Sequence, residues 1–247
     1  MSEPTIVVRD LEVGFGGDPI LERVSFEVAR GEVFAILGGS GTGKSTLLRH
    51  LVGLDRPMSG SITIDGAPPS LEGRPRHGVL FQSGALFGSM DLLENVSLPL
   101  RHWTRLDRRS IETVARAKLR LVGLAGFERH LPAEISGGMK KRAGIARALA
   151  LDPQLLFLDE PSAGLDPVTS AHMDELIESL NRNLGVTIVV VTHELSSIER
   201  VVEHCVLLHR ERRGIIADGD PRELAARSSD VRVREFFRTA AEPGALG

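Results

Sequence analysis

Between Val33 and Leu48 the chain reads VFAILGGSGTGKSTLL, and no other stretch restricts its fold so tightly. The apolar run Val33 to Leu37 has strand character. A glycine-rich turn follows, and Ser45, Thr46, Leu47 and Leu48 open a helical pattern. Gly38, four residues, then Gly43-Lys44-Ser45 matches the phosphate-binding loop GxxxxGK[ST]. Gly38, Gly39, Gly41 and Gly43, with Ser40 and Thr42 between them, let the backbone approach phosphate oxygens and turn its N–H groups inward as an anion nest. The helix entered through Thr46 adds the positive end of its dipole. In such a loop Lys44 bridges the β- and γ-phosphates of a nucleotide and the Ser45 hydroxyl holds Mg²⁺. The flanking strand and helix are the context the motif requires, which disfavours a chance match.

With 247 residues the chain has enough length for one large core or two small ones. Its net charge of -3 supplies no basic field for nucleic acid. No apolar run reaches the ~18 residues needed to span a bilayer. The longest, Val186 to Val191 and Val201 to Leu208, are short or interrupted by charge. The N-terminal MSEPTIVVRD lacks a basic region followed by a long apolar stretch, so no signal peptide is expected. Cys205, the sole cysteine, excludes an internal disulfide and reads as a small buried residue in an apolar run. These features point to the cytoplasm, with any membrane association made through a partner.

The first thirty residues alternate at period two, through Ile6 and Val8, Leu11 and Val13, then Val24, Phe26 and Val28. With a strand at Ser61 to Asp65 they predict an antiparallel β layer around the phosphate-loop strand. Residues 67–76 read as a surface loop, and Gly78 to Phe81 as a short buried strand ending at Gln82. From Ser83 to Leu151 helical periodicity takes over. Ile111, Val114, Ala115, Lys118, Leu121 and Val122 lie near one face of a helix, and a second helix runs from about Gly137 to Leu151. Strands return at Leu155 to Asp159 and Val186 to Thr192. The helix between them starts at Asp166-Pro167, buries Met173, Leu176, Ile177, Leu180 and Leu184, and closes at Gly185. A strand at Cys205 to His209, a hairpin through Arg212-Arg213-Gly214, a helix opened by Asp220-Pro221 and an amphipathic piece from Asp230 to Thr239 complete the chain. Alternating strands and helices predict an α/β protein with a mostly parallel sheet.

Two further stretches carry chemistry. Leu155 to Asp159 is an apolar strand followed by Glu160. After a phosphate loop, such a strand sets its Asp beside the bound Mg²⁺, so Asp159 is a metal ligand and Glu160 the candidate general base for the attacking water. In Glu134-Ile135-Ser136-Gly137-Gly138-Met139, Ser136 caps a helix that begins with glycines. This makes a second anion-seeking helix tip. A phosphate-loop kinase or GTPase does not need two. The run Lys140-Lys141-Arg142 on that helix reads as a solvated face rather than a nucleic-acid site.

With these motifs in hand, the chain resembles the nucleotide-binding subunits of ABC transporters over nearly its whole length. Ser136 to Met139 is similar to that family's signature, with Met139 where glutamine is usual. Gln82 falls at the Q-loop glutamine, residues 162–166 (SAGLD) at the D-loop, His193 at the switch histidine, and Phe15 where an aromatic residue stacks on adenine. The resemblance implies a RecA-like P-loop NTPase core with an antiparallel β subdomain (1–82 and 152–228), an inserted α-helical subdomain (83–151) and a C-terminal extension (229–247). It implies ATP and Mg²⁺ as cofactors, the metal held by Ser45, Gln82 and Asp159. Two copies would pair head to tail. Each ATP would then be held by Lys44 and Ser45 of one copy and Ser136 and Gly138 of the other, with Gly137 and Asp166 also counted among the nucleotide-binding residues. Glu160, His193 and Gln82 would form the catalytic group, with Gln82 also coupling to a membrane permease docked on the helical insert.

Residues 81–100, FQSGALFGSMDLLENVSLPL, and SGGMKKRAGIARALALDP further on resemble more closely the MlaF-like ATPases of Mla/Mce phospholipid transport. That likeness implies an MlaE-type permease, an MCE-domain protein, a small STAS-type subunit, and a place on the cytoplasmic side of the bacterial inner membrane, held there by the permease. Val231 to Phe237 resembles the start of that group's C-terminal tail. Motors for other small solutes share the fold. So do non-transport members that act on nucleic acid, but the single cassette, the compact insert and the near-neutral charge favour transport.

Overall fold

The period-two pattern at the N-terminus folds into two long strands, β1 (Pro4–Phe15) and β2 (Asp18–Ala29), paired antiparallel across Gly16-Gly17. Both glycines take positive φ, 62° and 96°, which a side chain at either would resist. A third strand, β4 (Ser59–Ile64), joins the other edge of β1. The structure, a computed structural model, describes residues 4–70, 72–193 and 201–241.

The second sheet has six strands in the order β5-β6-β7-β3-β8-β9. These are β5 (Gly78–Leu80), β6 (Leu155–Asp159), β7 (Thr187–Thr192), β3 (Val33–Leu37), β8 (His204–His209) and β9 (Gly214–Gly219). The first five in that order are parallel, and β9 closes the edge antiparallel to β8. Burial on both faces explains why the central strands are continuous apolar runs rather than alternating ones. The alternation survives as a division of labour. Ala35, Leu37, Leu156, Leu158, Ile188, Val190, Cys205 and Leu207 enter one core, while Phe34, Ile36, Phe157, Val189, Val191, Val206 and Leu208 enter the other. The second core also holds the inner face of the small sheet and α1 (Lys44–Leu51), which packs against both sheets. Cys205 is buried as expected, and desolvation pushes its thiol up to about 12.

The excursion between β5 and β6 leaves and re-enters the sheet at neighbouring strands. It holds α2 (Leu92–Trp103), α3 (Arg108–Leu121) and α4 (Gly137–Ala148), one helix more than the periodicity suggested. α2 is marked by its cap rather than its stripe. Asp91 accepts from the Glu94 N–H at 2.7 Å while the Glu94 carboxylate accepts from the Asp91 N–H at 3.0 Å. On α3, Ile111, Ala115 and Leu119 are buried but Leu121 is exposed. On α5 (Pro167–Leu184), Met173, Ile177 and Leu180 are buried while Leu184 is exposed in the last turn before Gly185. Both corrections sit at C-terminal turns, where the apolar stripe runs past the surface it packs on. α6 (Pro221–Arg227) is capped by Asp220, and α7 (Val231–Ala241) buries Val233 and Phe237 against the first core.

Candidate active site

Every predicted group on the main sheet lies at one edge, where the parallel strands end at their carboxyl termini. That edge is where open α/β sheets gather ligands. The loop from Gly38 to Gly43 joins β3 to α1, and Gly38, Gly41 and Gly43 take positive φ of 154°, 73° and 93°. At Gly38 a Cβ would lie 2.7 Å from Thr42 Oγ1 and 2.9 Å from the Leu208 carbonyl, so the loop can close over β8 only without a side chain there. Gly39 and Gly41 have open space where a side chain would stand, and Ser40 and Ser45 are exposed. Thr42 is buried, its hydroxyl donating to the Gly39 carbonyl at 3.0 Å. Thr46 lies in the first turn of α1, and its carbonyl is 2.8 Å from His50 Nδ1.

Lys44 curls back over this loop. Its Nζ donates to the carbonyls of Gly38 at 2.8 Å and Gly39 at 3.0 Å, and the residue is only 8% exposed. Burial lowers its pKa, and the nearby charges of Glu160 and Asp159 oppose that shift. The two carboxylates stand at the end of β6. Desolvation first, then the like charge of Glu160, pushes Asp159 up to about 6, against the opposing pull of Lys44 and Lys141. Asp159 Oδ1 and Glu160 Oε2 are both buried without a hydrogen-bond partner among the described residues. Buried orphan oxygens are costly and mark a place where something else supplies the bond. A hard cation fits: Ser45 offers a hydroxyl and Asp159 a carboxylate, both oxygen donors of the kind Mg²⁺ takes.

The other Glu160 oxygen is paired: Oε1 lies 2.7 Å from Nδ1 of His193, which follows β7. β6 and β7 are adjacent and parallel, with Asp159 opposite Val191, so strand pairing delivers the two residues to each other. The Glu160 backbone sits at φ 49°, in the left-handed region, with its N–H bonded to the Val191 carbonyl at 2.8 Å. Strained backbone of this kind is found where the surroundings over-determine it.

Gln82 stands just past β5, one strand beyond β6 at the same edge, and is exposed. Phe15 ends β1, and its side chain lies outside the described residues. Ser136, Gly137 and Gly138 form the tip of α4. The Ser136 hydroxyl accepts from the Met139 N–H at 3.2 Å, and a Cβ on Gly138 would lie 2.5 Å from Thr169 Cγ2 on α5. Asp166 is the N-cap of α5, accepting from the N–H groups of Val168 and Thr169 at 3.1 and 3.0 Å and from the Thr169 hydroxyl at 2.6 Å. Those bonds lower its pKa, the Thr169 hydroxyl first.

One sequence reading is corrected. Lys141 is not part of a solvated run: it is 7% exposed, and its Nζ donates to the backbone carbonyls of Glu160 at 2.7 Å and Ala163 at 2.6 Å. The signal was present in the spacing. Lys141 lies three residues after Gly138 and four before Ile145, on the buried side of α4. At the far end of the same helix, Arg147 donates to the carbonyls of Ala85 at 2.8 Å and Gly84 at 3.1 Å, pinning the segment after Gln82.

Residues 21–163 match the family model described as ABC transporter. The chain is 45% identical over 239 residues to the probable ribonucleotide transport ATP-binding protein mkl of Mycobacterium leprae, covering 94% of this chain and 68% of that one. It is 40% identical over 237 residues to the intermembrane phospholipid transport system ATP-binding protein MlaF of Escherichia coli, covering 93% of this chain and 87% of that one. Among solved structures, the dimeric bacterial ABC transporter cassette MJ0796 superposes with a TM-score of 0.78 at 30% identity, over 87% of this chain and 98% of that one.

Proposed function

This chain belongs to the ABC transporter family as an ATP-binding ATPase subunit, and from that premise we propose that it powers phospholipid transport between bacterial membranes. The hydrolytic part rests on one arrangement: Glu160 held by His193 at 2.7 Å, beside Asp159 and Lys44, with a second carboxylate oxygen buried and unpartnered. The lipid part rests on the likeness to MlaF, which covers most of both chains.

In this reading the anion nest of residues 38–45 binds the ATP phosphates, and Lys44 exchanges its two loop carbonyls for phosphate oxygens. Ser45, Asp159 and Gln82 hold Mg²⁺, which supplies charge neutralisation at the phosphates when bound. Glu160 takes the proton of the attacking water, and His193 keeps the carboxylate aimed. Phe15 stacks on the adenine. The α4 tip, Ser136 to Gly138, completes the site of a second copy, together with the Asp166 loop. The dimeric relative MJ0796 supports that pairing. The helical insert, residues 83–151, receives an MlaE-type permease. An MCE-domain protein and a small STAS-type subunit complete the assembly on the cytoplasmic side of the inner membrane. Among the described residues no helix is long and apolar enough to cross a membrane, so attachment through a permease is consistent.

Glu160→Gln is expected to keep ATP binding, accumulate an ATP-bound dimer on gel filtration, and lose about a hundredfold or more of phosphate release. Wild-type turnover would remove Glu160 as the base. Co-purification from membranes with mass spectrometry should return an MlaE-type permease and bound phospholipid. A permease of another type carrying a polar solute would favour the second reading, a small-solute motor, which the ribonucleotide description of mkl supports.

A further inference from the structure

Glu160 is restrained from three directions. Its N–H is held by β7 through the Val191 carbonyl, its carboxylate by His193, and its carbonyl by Lys141. Only the last restraint comes from the helical insert. Lys141 also takes the Ala163 carbonyl, so one ammonium staples both ends of the turn 160–163. Within the turn the Ala163 N–H reaches the Glu160 carbonyl at 3.3 Å, the long end of hydrogen bonding, while the Leu165 N–H reaches the Ser162 carbonyl at 3.1 Å and the Ser162 hydroxyl lies 3.5 Å from Asp174 Oδ1. Its first residue, Glu160, is a non-glycine at φ 49°, a conformation that persists only under external constraint. Burying an ammonium is expensive unless its donors are satisfied, which argues that the lysine is there for what it bonds.

We propose that Lys141 is a positioning residue for hydrolysis: it fixes the backbone from which Glu160 projects and ties that backbone to the helix whose tip is Ser136. This rests on Glu160 being the general base. The geometry makes the tie direct. Lys141 is five residues from Ser136 along α4, about 7.5 Å at helical rise, so the helix tip and the clamp on Glu160 belong to one rigid rod. An α4 displaced by whatever its tip contacts carries the Glu160 carbonyl with it. The carboxylate therefore reaches its working geometry only when α4 is seated.

The test uses the full chain, purified with its membrane complex, at saturating ATP and Mg²⁺. Lys141→Met keeps the unbranched stem of the side chain and removes its terminal ammonium, with its charge and donors. It is expected to lower kcat at least tenfold while KM for ATP stays within threefold. Lys141→Arg, which keeps cationic donors, is expected to recover most of the lost kcat. Should the methionine variant fail to fold, Lys141→Gln, with one amide to offer two carbonyls, carries the same measurement and should fall below the arginine variant in kcat, with a loss short of the tenfold or more expected of methionine. Wild-type kcat in the methionine or glutamine variant overturns the proposal. So does a loss in which KM rises with the fall in kcat and arginine rescues nothing. Glu160→Gln measured alongside separates the two ideas. If it is inactive while Lys141→Met is fully active, the clamp alone is wrong; if it is itself fully active, the base assignment is wrong.

Discussion

His193 Nδ1 stands 2.7 Å from Glu160 Oε1, across two neighbouring parallel strands, 33 residues apart in the chain. The pairing fixes one carboxylate oxygen and leaves the other buried, with no hydrogen-bond partner among the described residues. A general base is useful only if its proton-accepting oxygen points at the water, and in the role proposed for Glu160 the histidine that follows the next strand would set that direction.

Removing the histidine should therefore cost chemistry rather than binding. His193→Ala is expected to lower kcat by about tenfold to a hundredfold, the equivalent of one hydrogen bond to a charged group. ATP affinity, read with a fluorescent analogue, should be nearly unchanged. A large loss of affinity with intact kcat would contradict this assignment.

Gly138 can be tested for shape. An alanine there would put its Cβ 2.5 Å from Thr169 Cγ2, and the threonine is held by its hydroxyl bond to Asp166 at 2.6 Å. Gly138→Ala should destabilise by about 1 kcal/mol or more, lowering Tm by roughly 2–4 °C per kcal/mol for a chain of this size. Adding Thr169→Ser removes the offending methyl and keeps the hydroxyl, so the double variant should regain most of the loss. Equal Tm values for single and double variants would show that the contact is not the cause.

Asp166 has a structural task that any nucleotide role must be separated from. Asp166→Ala removes the cap of α5 and should lower Tm, whereas Asp166→Asn keeps an accepting oxygen and should stay near wild-type Tm. If the asparagine variant still loses ATP-driven dimerisation, the carboxylate also acts across the interface. If dimerisation is intact, Asp166 serves its own helix only.

Asp159 predicts an electrostatic trade. Burial and Glu160 raise it to about 6, so the folded chain without nucleotide holds that proton more tightly than the unfolded chain. The group therefore destabilises the fold above about pH 6, and this cost fades as pH falls toward the ordinary carboxylate range near 4. Asp159→Asn should accordingly raise the nucleotide-free Tm at pH 7.5, with the gain vanishing by about pH 4, while abolishing Mg²⁺-dependent turnover. A constant Tm difference across that range would show that Asp159 does not titrate as described.

The local chemistry of the chain could be read residue by residue. An anion nest needs contiguous backbone N–H groups, so GGSGTGKS announces itself by spacing alone, as does the Ser136-Gly137-Gly138 helix tip. Buried parallel strands need unbroken apolar runs, and caps need Asp or Ser at one position. Residues 33–48, 155–160 and 166–185 therefore appeared where expected. The helix α2 escaped because its mark is the Asp91–Glu94 box rather than a long stripe, and Pro99 interrupts its pattern. Lys141 escaped because two neighbouring basic residues disguised it as surface.

Which motif meets which was a separate matter. Sequence order cannot say that β3 lies between β7 and β8, or that β6 and β7 are neighbours, because strand order comes from packing two apolar faces at once. That packing brings His193 to Glu160 and carries the ammonium of Lys141 onto the carbonyls of a turn 19 residues away. Phosphate recognition is written in consecutive residues because neighbouring amides perform it. The placement of the Glu160 carboxylate is not, because it depends on groups from separate elements arriving within hydrogen-bond distance.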